Sequence, residues 1–116
     1  MYRRAFLGLI FLPAIAKTAR RPRVLHLEAT AHSQEGETAA GTRSREGTAA
    51  ADPRVLPLGS KVRVSGAGPY SGVYSIEDTG RGIKGREIDL YMKSDAEAKK
   101  IGRKRVKVTV LEYGKQ

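Results

Sequence analysis

The sequence predicts a mainly β fold: a small closed barrel with one short helix. Three observations carry the prediction. Polar and apolar residues alternate with period two from Lys61 to Ser65, Val73 to Asp78, Arg86 to Tyr91 and Lys104 to Leu111, the pattern of half-buried strands. Turn signals separate these runs roughly every eight to twelve residues. Only one segment has helical start and stop signals. Closure follows because a barrel leaves no unpaired edge in so small a domain.

The elements follow in order. Val24, Leu25, Leu27, Ala29 and Ala31 open the folded part as a first strand. From Ser33 to Ala51 the chain is small and polar, with Gly36, Gly41 and Gly47 as punctuation, and composition alone leaves open an ordered loop with a short strand or a mobile loop. Lys61 to Ser65 is a strand, and Gly66-Ala67-Gly68-Pro69 is a turn. In the next strand Val73, Ser75 and Glu77 alternate with Tyr74, Ile76 and Asp78. In the one after it, Ile88 and Leu90 share a face opposite Asp89 and Tyr91. Ser94 and Glu97 form a capping box that starts the helix, and Gly102 stops it. The last strand points Val106, Val108 and Val110 inward.

The N-terminal residues read as an export signal rather than as part of the domain. Arg3 and Arg4 precede an almost unbroken apolar run from Ala5 to Ala16, and Ala14-Ile15-Ala16 supplies small residues where a signal peptidase reads. The run is shorter than the roughly 20 apolar residues of a spanning helix. Tyr2-Arg3-Arg4-Ala5-Phe6-Leu7-Gly8 has the form of a twin-arginine signal, although a general secretory signal also begins with arginines. Residues 1–19 are thus expected to be the signal, 20–23 a basic linker and 24–113 the domain.

Composition narrows the chemistry. The chain has 116 residues, 22 basic and 12 acidic, with no cysteine and two histidines. Without Arg3 and Arg4, 20 basic residues remain against 12 acidic ones, about +8. Such a charge favours polyanions, and for an exported chain that means anionic cell-envelope polymers rather than nucleic acid. Metal and thiol chemistry have few ligands, so no metal or cofactor is expected. Carboxylates must then move any protons.

Three aspartates stand out: Asp52 before Pro53, Asp78 in Glu77-Asp78-Thr79-Gly80, and Asp89 in Ile88-Asp89-Leu90. The first two are ordinary turn openers when taken singly. Asp89 lies inside a strand, where aspartate is disfavoured, and must either face solvent or line a cleft. The glycine-rich loop from Thr79 to Gly85 could bring Asp78 and Asp89 together. Grouped carboxylates repel, which raises at least one pKa and makes a general acid without histidine.

At these residues the chain resembles the three-aspartate (3D) domain family and, by extension, the catalytic barrel of membrane-bound lytic transglycosylase A. The matching stretches are Thr38-Ala39-Ala40-Gly41, Gly47 to Val62, Glu77 to Gly80, Ile83-Lys84-Gly85 and Ile88 to Tyr91, then the helix and the closing valine strand. The resemblance implies a six-stranded double-psi β-barrel that cleaves the MurNAc–GlcNAc bond of peptidoglycan glycan strands without water. It places the acid/base at Asp89 and puts Asp78 and Asp52 along the cleft, Asp52 holding the loop or bonding a hydroxyl. Thr38, Thr79 and Lys84 would contact sugar.

The chain departs from the family pattern at three points. His32 stands where the family has a tyrosine, though an exposed histidine at a strand end is the plainer reading. Arg81-Gly82 replaces a small pair, so Arg81 would bind a carboxylate or block the cleft. There is no tryptophan, so either Tyr70, Tyr74 and Tyr91 serve for stacking or stacking is minor. The competing readings are a rare lipoprotein A-like transglycosylase, which lacks the Asp-Thr-Gly and Ile-Lys-Gly loop, and a non-catalytic wall-binding module. A closed barrel needs no second copy, so a monomer is expected.

Overall fold

Leu27, Val62, Ile76, Ile88 and Val108 are at most 1% exposed, and five strands meet through them around one apolar axis. The computed structural model describes residues 21–80 and 82–115. The expected signal, residues 1–19, and Arg81 lie outside the described residues.

The strands are β1 (Val24–His32), β2 (Thr48–Ala51), β3 (Lys61–Ser65), β4 (Gly72–Asp78), β5 (Glu87–Tyr91) and β6 (Lys104–Glu112), with helix α1 (Asp95–Ile101) before the last. They close into a six-stranded barrel in the order β1-β5-β2-β4-β3-β6. β1 pairs β5 and β2 pairs β4 in parallel, and the other pairs are antiparallel. This is the crossed double-psi arrangement, and only β3 and β4 are neighbours in both chain and sheet. The period-two runs landed as strands for the reason they predict them: valines, leucines and isoleucines turn inward at every second position.

Two local features shape the site. All four residues of β2 are buried, three of them alanines, and a strand this small lets the loop after β4 lie close over it. β4 breaks its own alternation. Ala49 faces Ile76, but Ala50 faces Asp78, so Glu77 is an extra residue in the β2–β4 ladder. The strict alternation expected from Val73 to Asp78 therefore stops at Ile76. Such a bulge bends the strand and re-aims the side chain that follows it. Here that side chain is Asp78.

The helix forms as its caps predict. Ser94 Oγ accepts the Glu97 backbone N–H at 3.2 Å, acidic residues occupy the first turn and Lys99 and Lys100 the last. Gly102 ends it at φ +57°, a conformation that suits glycine. Ile101 packs into the core and α1 lies against β1. The segment from 33 to 47 is a loop, tied by a bridge between Glu37 and Arg43, and the short strand expected within 33–51 is β2. Among the described residues no helix is long and apolar enough to cross a membrane.

Ile76 is fully buried where β4 meets β2. Ile76→Ala should lower the unfolding free energy by about 2–5 kcal/mol in urea titrations, the range for a large-to-small change in a packed core. A loss below about 1 kcal/mol would mean that the barrel wall collapses around the gap.

Candidate functional site

Asp89 lies at the middle of β5, and its neighbours Ile88 and Leu90 are fully buried. Its side chain must therefore point out of the barrel. The parallel register sets Thr30 of β1 directly beside it, with His32 two residues further along the same face. Thr30 Oγ1 donates to Asp89 Oδ1 at 2.7 Å, and His32 Nδ1 lies 2.7 Å from Oδ2. Both carboxylate oxygens thus have protein partners. The Asp89 side chain is 16% exposed.

His32 is not an ordinary surface histidine. It lines the same cleft as Asp89, and its ring meets Tyr91 edge-on at 5.6 Å. By distance the contact with Asp89 is a hydrogen bond, yet Nδ1 makes none of good geometry, so we treat the pair as an ion contact. It raises the His32 pKa above its usual 6.5, burial opposes, and the charges of Asp89 and then Asp78 add to the rise. The two carboxylate charges push the same way, each favouring the imidazolium. The expectation that the aspartates are grouped apart from any histidine is corrected here: His32 is in contact with Asp89.

Asp78 is turned into the cleft from the far side by the bulge. Its Oδ1 accepts the backbone N–H groups of Thr79 at 2.9 Å and Ala39 at 3.2 Å, so it also fastens the 38–46 loop. Beneath that loop Glu77 is buried, pairing both oxygens with Arg45 at 2.8 Å and accepting from Thr42. The Arg45 pair leads in holding the Glu77 pKa below the usual carboxylate value.

Asp52 does something different. It is 3% exposed and is not among the residues lining the cleft. Its carboxylate accepts from the Arg54 side chain at 2.7 and 3.1 Å, the Arg54 backbone at 2.9 Å and the Gly85 backbone at 2.8 Å. These bonds, the Arg54 side chain first and Gly85 second, outweigh burial and hold its pKa well below the usual carboxylate range. Asp52 thereby pins the end of the loop that carries Gly80, Gly82 and Ile83 into the cleft. Gly80 is required there: its φ is +49°, and a Cβ would lie 2.6 Å from Ile83.

The cleft encloses about 360 Å³, and four of its walls are carboxylates: Glu35, Glu37, Asp78 and Asp89. Among the described residues His32 is its one potentially cationic lining side chain. The other expected contacts fall outside it. The Thr38 hydroxyl is 2.7 Å from that of Thr42 and stitches its own turn. Thr79 and Lys84 do not line the cleft, although they belong to the loop above it. Tyr91 is 6% exposed, and with Tyr70 and Tyr74 it lines a separate depression of about 240 Å³. Stacking on these rings inside the cleft is therefore ruled out. Among the described residues no group of three or more His, Asp or Glu could hold a metal ion.

His32, Thr30, Glu77 and Arg45 are the contributors that sequence reasoning missed or undervalued. The signal available was the parallel pairing of β1 with β5, which puts Thr30 and His32 beside Asp89 once the register is known.

The sequence pattern of the 3D domain matches residues 47–112, more than half of the chain. The chain belongs to the 3D domain family. Within that family it is 47% identical over 62 residues to the cell wall-binding protein YocH of Bacillus subtilis (strain 168), covering 53% of this chain and 20% of YocH. This chain spans a quarter or less of the length of the curated relatives it matches. Among solved structures, this 3D domain resembles MltA of Escherichia coli, whose structure is described as a unique lytic transglycosylase fold. The TM-score is 0.57 at 17% identity over 71% of this chain and 29% of MltA. It also resembles the Streptomyces papain inhibitor, with a TM-score of 0.61 at 19% identity over 77% of this chain and 94% of the inhibitor. At these identities the likeness is one of fold.

Two measurements check the site. The His32 imidazole should titrate above pH 6.5 by NMR and move down in Asp89→Asn. Its folded pKa is raised, so the stability it adds is complete below the unfolded value and fades as pH rises through the folded one. His32→Gln should therefore trail the wild type in unfolding midpoint near about pH 6 and match it near about pH 9. Asp52 has the opposite sign: its contribution is complete above the unfolded value of 3.8 and is lost as pH falls through the depressed folded one. Asp52→Ala should speed hydrogen exchange at the Gly85 amide at neutral pH while distant amides in β6 stay protected; unchanged exchange at Gly85 would sink the anchoring role.

Proposed function

We propose that the protein is an exported lytic transglycosylase that cleaves the MurNAc–GlcNAc β-1,4 bond of peptidoglycan at the cell envelope, with Asp89 as its single acid/base. One observation carries the reading: Asp89 sits in a cleft with one oxygen bound by Thr30 and the other in contact with His32. Fold analogy alone would not suffice, since the same barrel occurs in a protein named as a papain inhibitor.

The reaction needs one carboxyl group. The reaction starts from the form in which the proton of the His32–Asp89 pair is on Asp89, which gives it to the glycosidic oxygen as the C1–O bond breaks, and the GlcNAc 4-hydroxyl leaves. The muramyl 6-hydroxyl then attacks C1, and its proton returns to Asp89. The product is a 1,6-anhydro sugar and the enzyme is regenerated with no water consumed. A hydrolase would need a second carboxylate to activate water or attack the sugar; here the substrate supplies the nucleophile. His32 and Thr30 hold the carboxylate in place, and Asp78 orients a sugar hydroxyl from the facing wall. Asp52 sets the loop whose Gly80, Gly82 and Ile83 would border the bound glycan. Anionic envelope polymers would be held by the general positive charge, and the barrel would act as a monomer.

A second reading, wall binding without cleavage, is favoured by the name of YocH, a cell wall-binding protein. Mass spectrometry of purified peptidoglycan incubated with the protein separates the two. We expect anhydro-muropeptides from the wild type and at least about 100-fold less from Asp89→Asn, the scale of a lost general acid. Reducing-end products would make water the nucleophile. Retention of glycan with no product from either protein would establish the binding reading.

A further inference from the structure

A second hollow, of about 470 Å³, opens between the C-terminal end of β1 and helix α1. His32 and Gln34 line both it and the cleft, so the two spaces share one wall and a ligand can lie across it. Their electrostatics differ. The cleft presents four carboxylates. In the hollow the one carboxylate, Asp95, is bonded by Ser33 Oγ, while Lys99 on α1 is exposed and has no ion-pair partner among the described residues.

This polarity bears on the substrate named above, and the inference rests on that reading. A muramyl residue is a neutral ring carrying an acidic lactyl arm. Its ring suits a cleft of hydrogen-bond acceptors, but its carboxylate would be repelled by Glu35, Glu37, Asp78 and Asp89. On the other side of the wall formed by His32 and Gln34 stands Lys99, whose ammonium has no ion-pair partner among the described residues. We propose that the hollow between β1 and α1 is a subsite for the free carboxylate arm of the sugar whose ring occupies the cleft, with Lys99 as its ionic partner. The arrangement favours strands stripped of stem peptides, whose lactyl carboxylates are free. Lys99 also complements the end of the helix dipole, a structural role that the test must separate.

The probe is peptide-free glycan strands, compared with the same strands after their carboxylates are converted to methylamides. Binding is measured on the full chain carrying Asp89→Asn, so that no turnover intervenes. We expect the free acid to bind roughly two- to fivefold more tightly, the worth of one exposed ion pair. Adding Lys99→Gln should erase the ratio and Lys99→Arg should retain it, with thermal unfolding showing that the barrel is intact. Lys107→Gln removes the same charge from the outer face of β6 and should leave the ratio unchanged. Equal affinity for both glycans, a ratio that survives Lys99→Gln, or an equal loss with Lys107→Gln overturns the subsite. The catalytic reading is scored apart, by anhydro products from the Asp89 protein. Preference without product leaves the subsite standing and removes catalysis; product without preference does the reverse.

Discussion

The parallel pairing of β1 with β5 is the constraint on which the rest of the molecule depends. Five consecutive positions, from Glu28 against Glu87 to His32 against Tyr91, lock the two strands in register. A slip of one residue would turn Leu27 and Ala29 out of the core and move Thr30 and His32 to the wrong face. Correct register does both jobs at once, sealing the barrel and bringing a hydroxyl and an imidazole to the same carboxylate. Parallel strands also require a long crossover between them. That crossover is where the chain places β2, the bulged end of β4 and the Gly80 loop, so the cleft is furnished by the connection that parallel pairing demands.

Charge is distributed against its own average. The chain carries a formal +10, yet its cleft is walled by carboxylates. The two scales act on different events. A summed positive field attracts anions in general from a distance and weakens with salt. The cleft carries the opposite local charge, with Glu35, Glu37, Asp78 and Asp89 in its walls, and so disfavours an anionic group at close range. The long-range field and the local charge of the cleft are thus set by different residues, and either can be altered with the other intact.

Much of the fold was legible in the sequence. Period-two alternation marked β3, β5 and β6 because each has one face on the core, and Ser94 with Gly102 marked the helix because end groups must be satisfied locally. The closed barrel and its single helix follow from those. β2 was harder to read, since Thr48-Ala49-Ala50-Ala51 is buried throughout and a strand with no wet face shows no alternation. The bulge at Glu77 was hidden for a different reason: an extra residue is defined by the partner strand, and nothing within Val73 to Asp78 announces it. The site was legible as a set of residue types and not as a set of neighbours. Asp78 and Asp89 share the cleft, whereas Asp52 is turned away from it, and its local motif with Pro53 looks the same in both cases. His32 gained its importance from a residue far along the chain. Pairwise placement of that kind is a property of register, which one strand cannot reveal.

The crossed strand order has a consequence for how the molecule is made. β1 is the first strand to leave the ribosome, and both its partners come late: β5 after most of the chain, and β6 last of all. Until Lys104–Glu112 has emerged, β1 and β3 each lack a neighbour and the barrel has an open seam. Of the six strand pairs only β3 with β4 can form as a local hairpin, and an isolated hairpin is marginal in water. Non-local contacts of this kind make folding slow. The barrel therefore cannot close until nearly the whole of the domain has been synthesised, and its seam is sealed by the last strand of the domain.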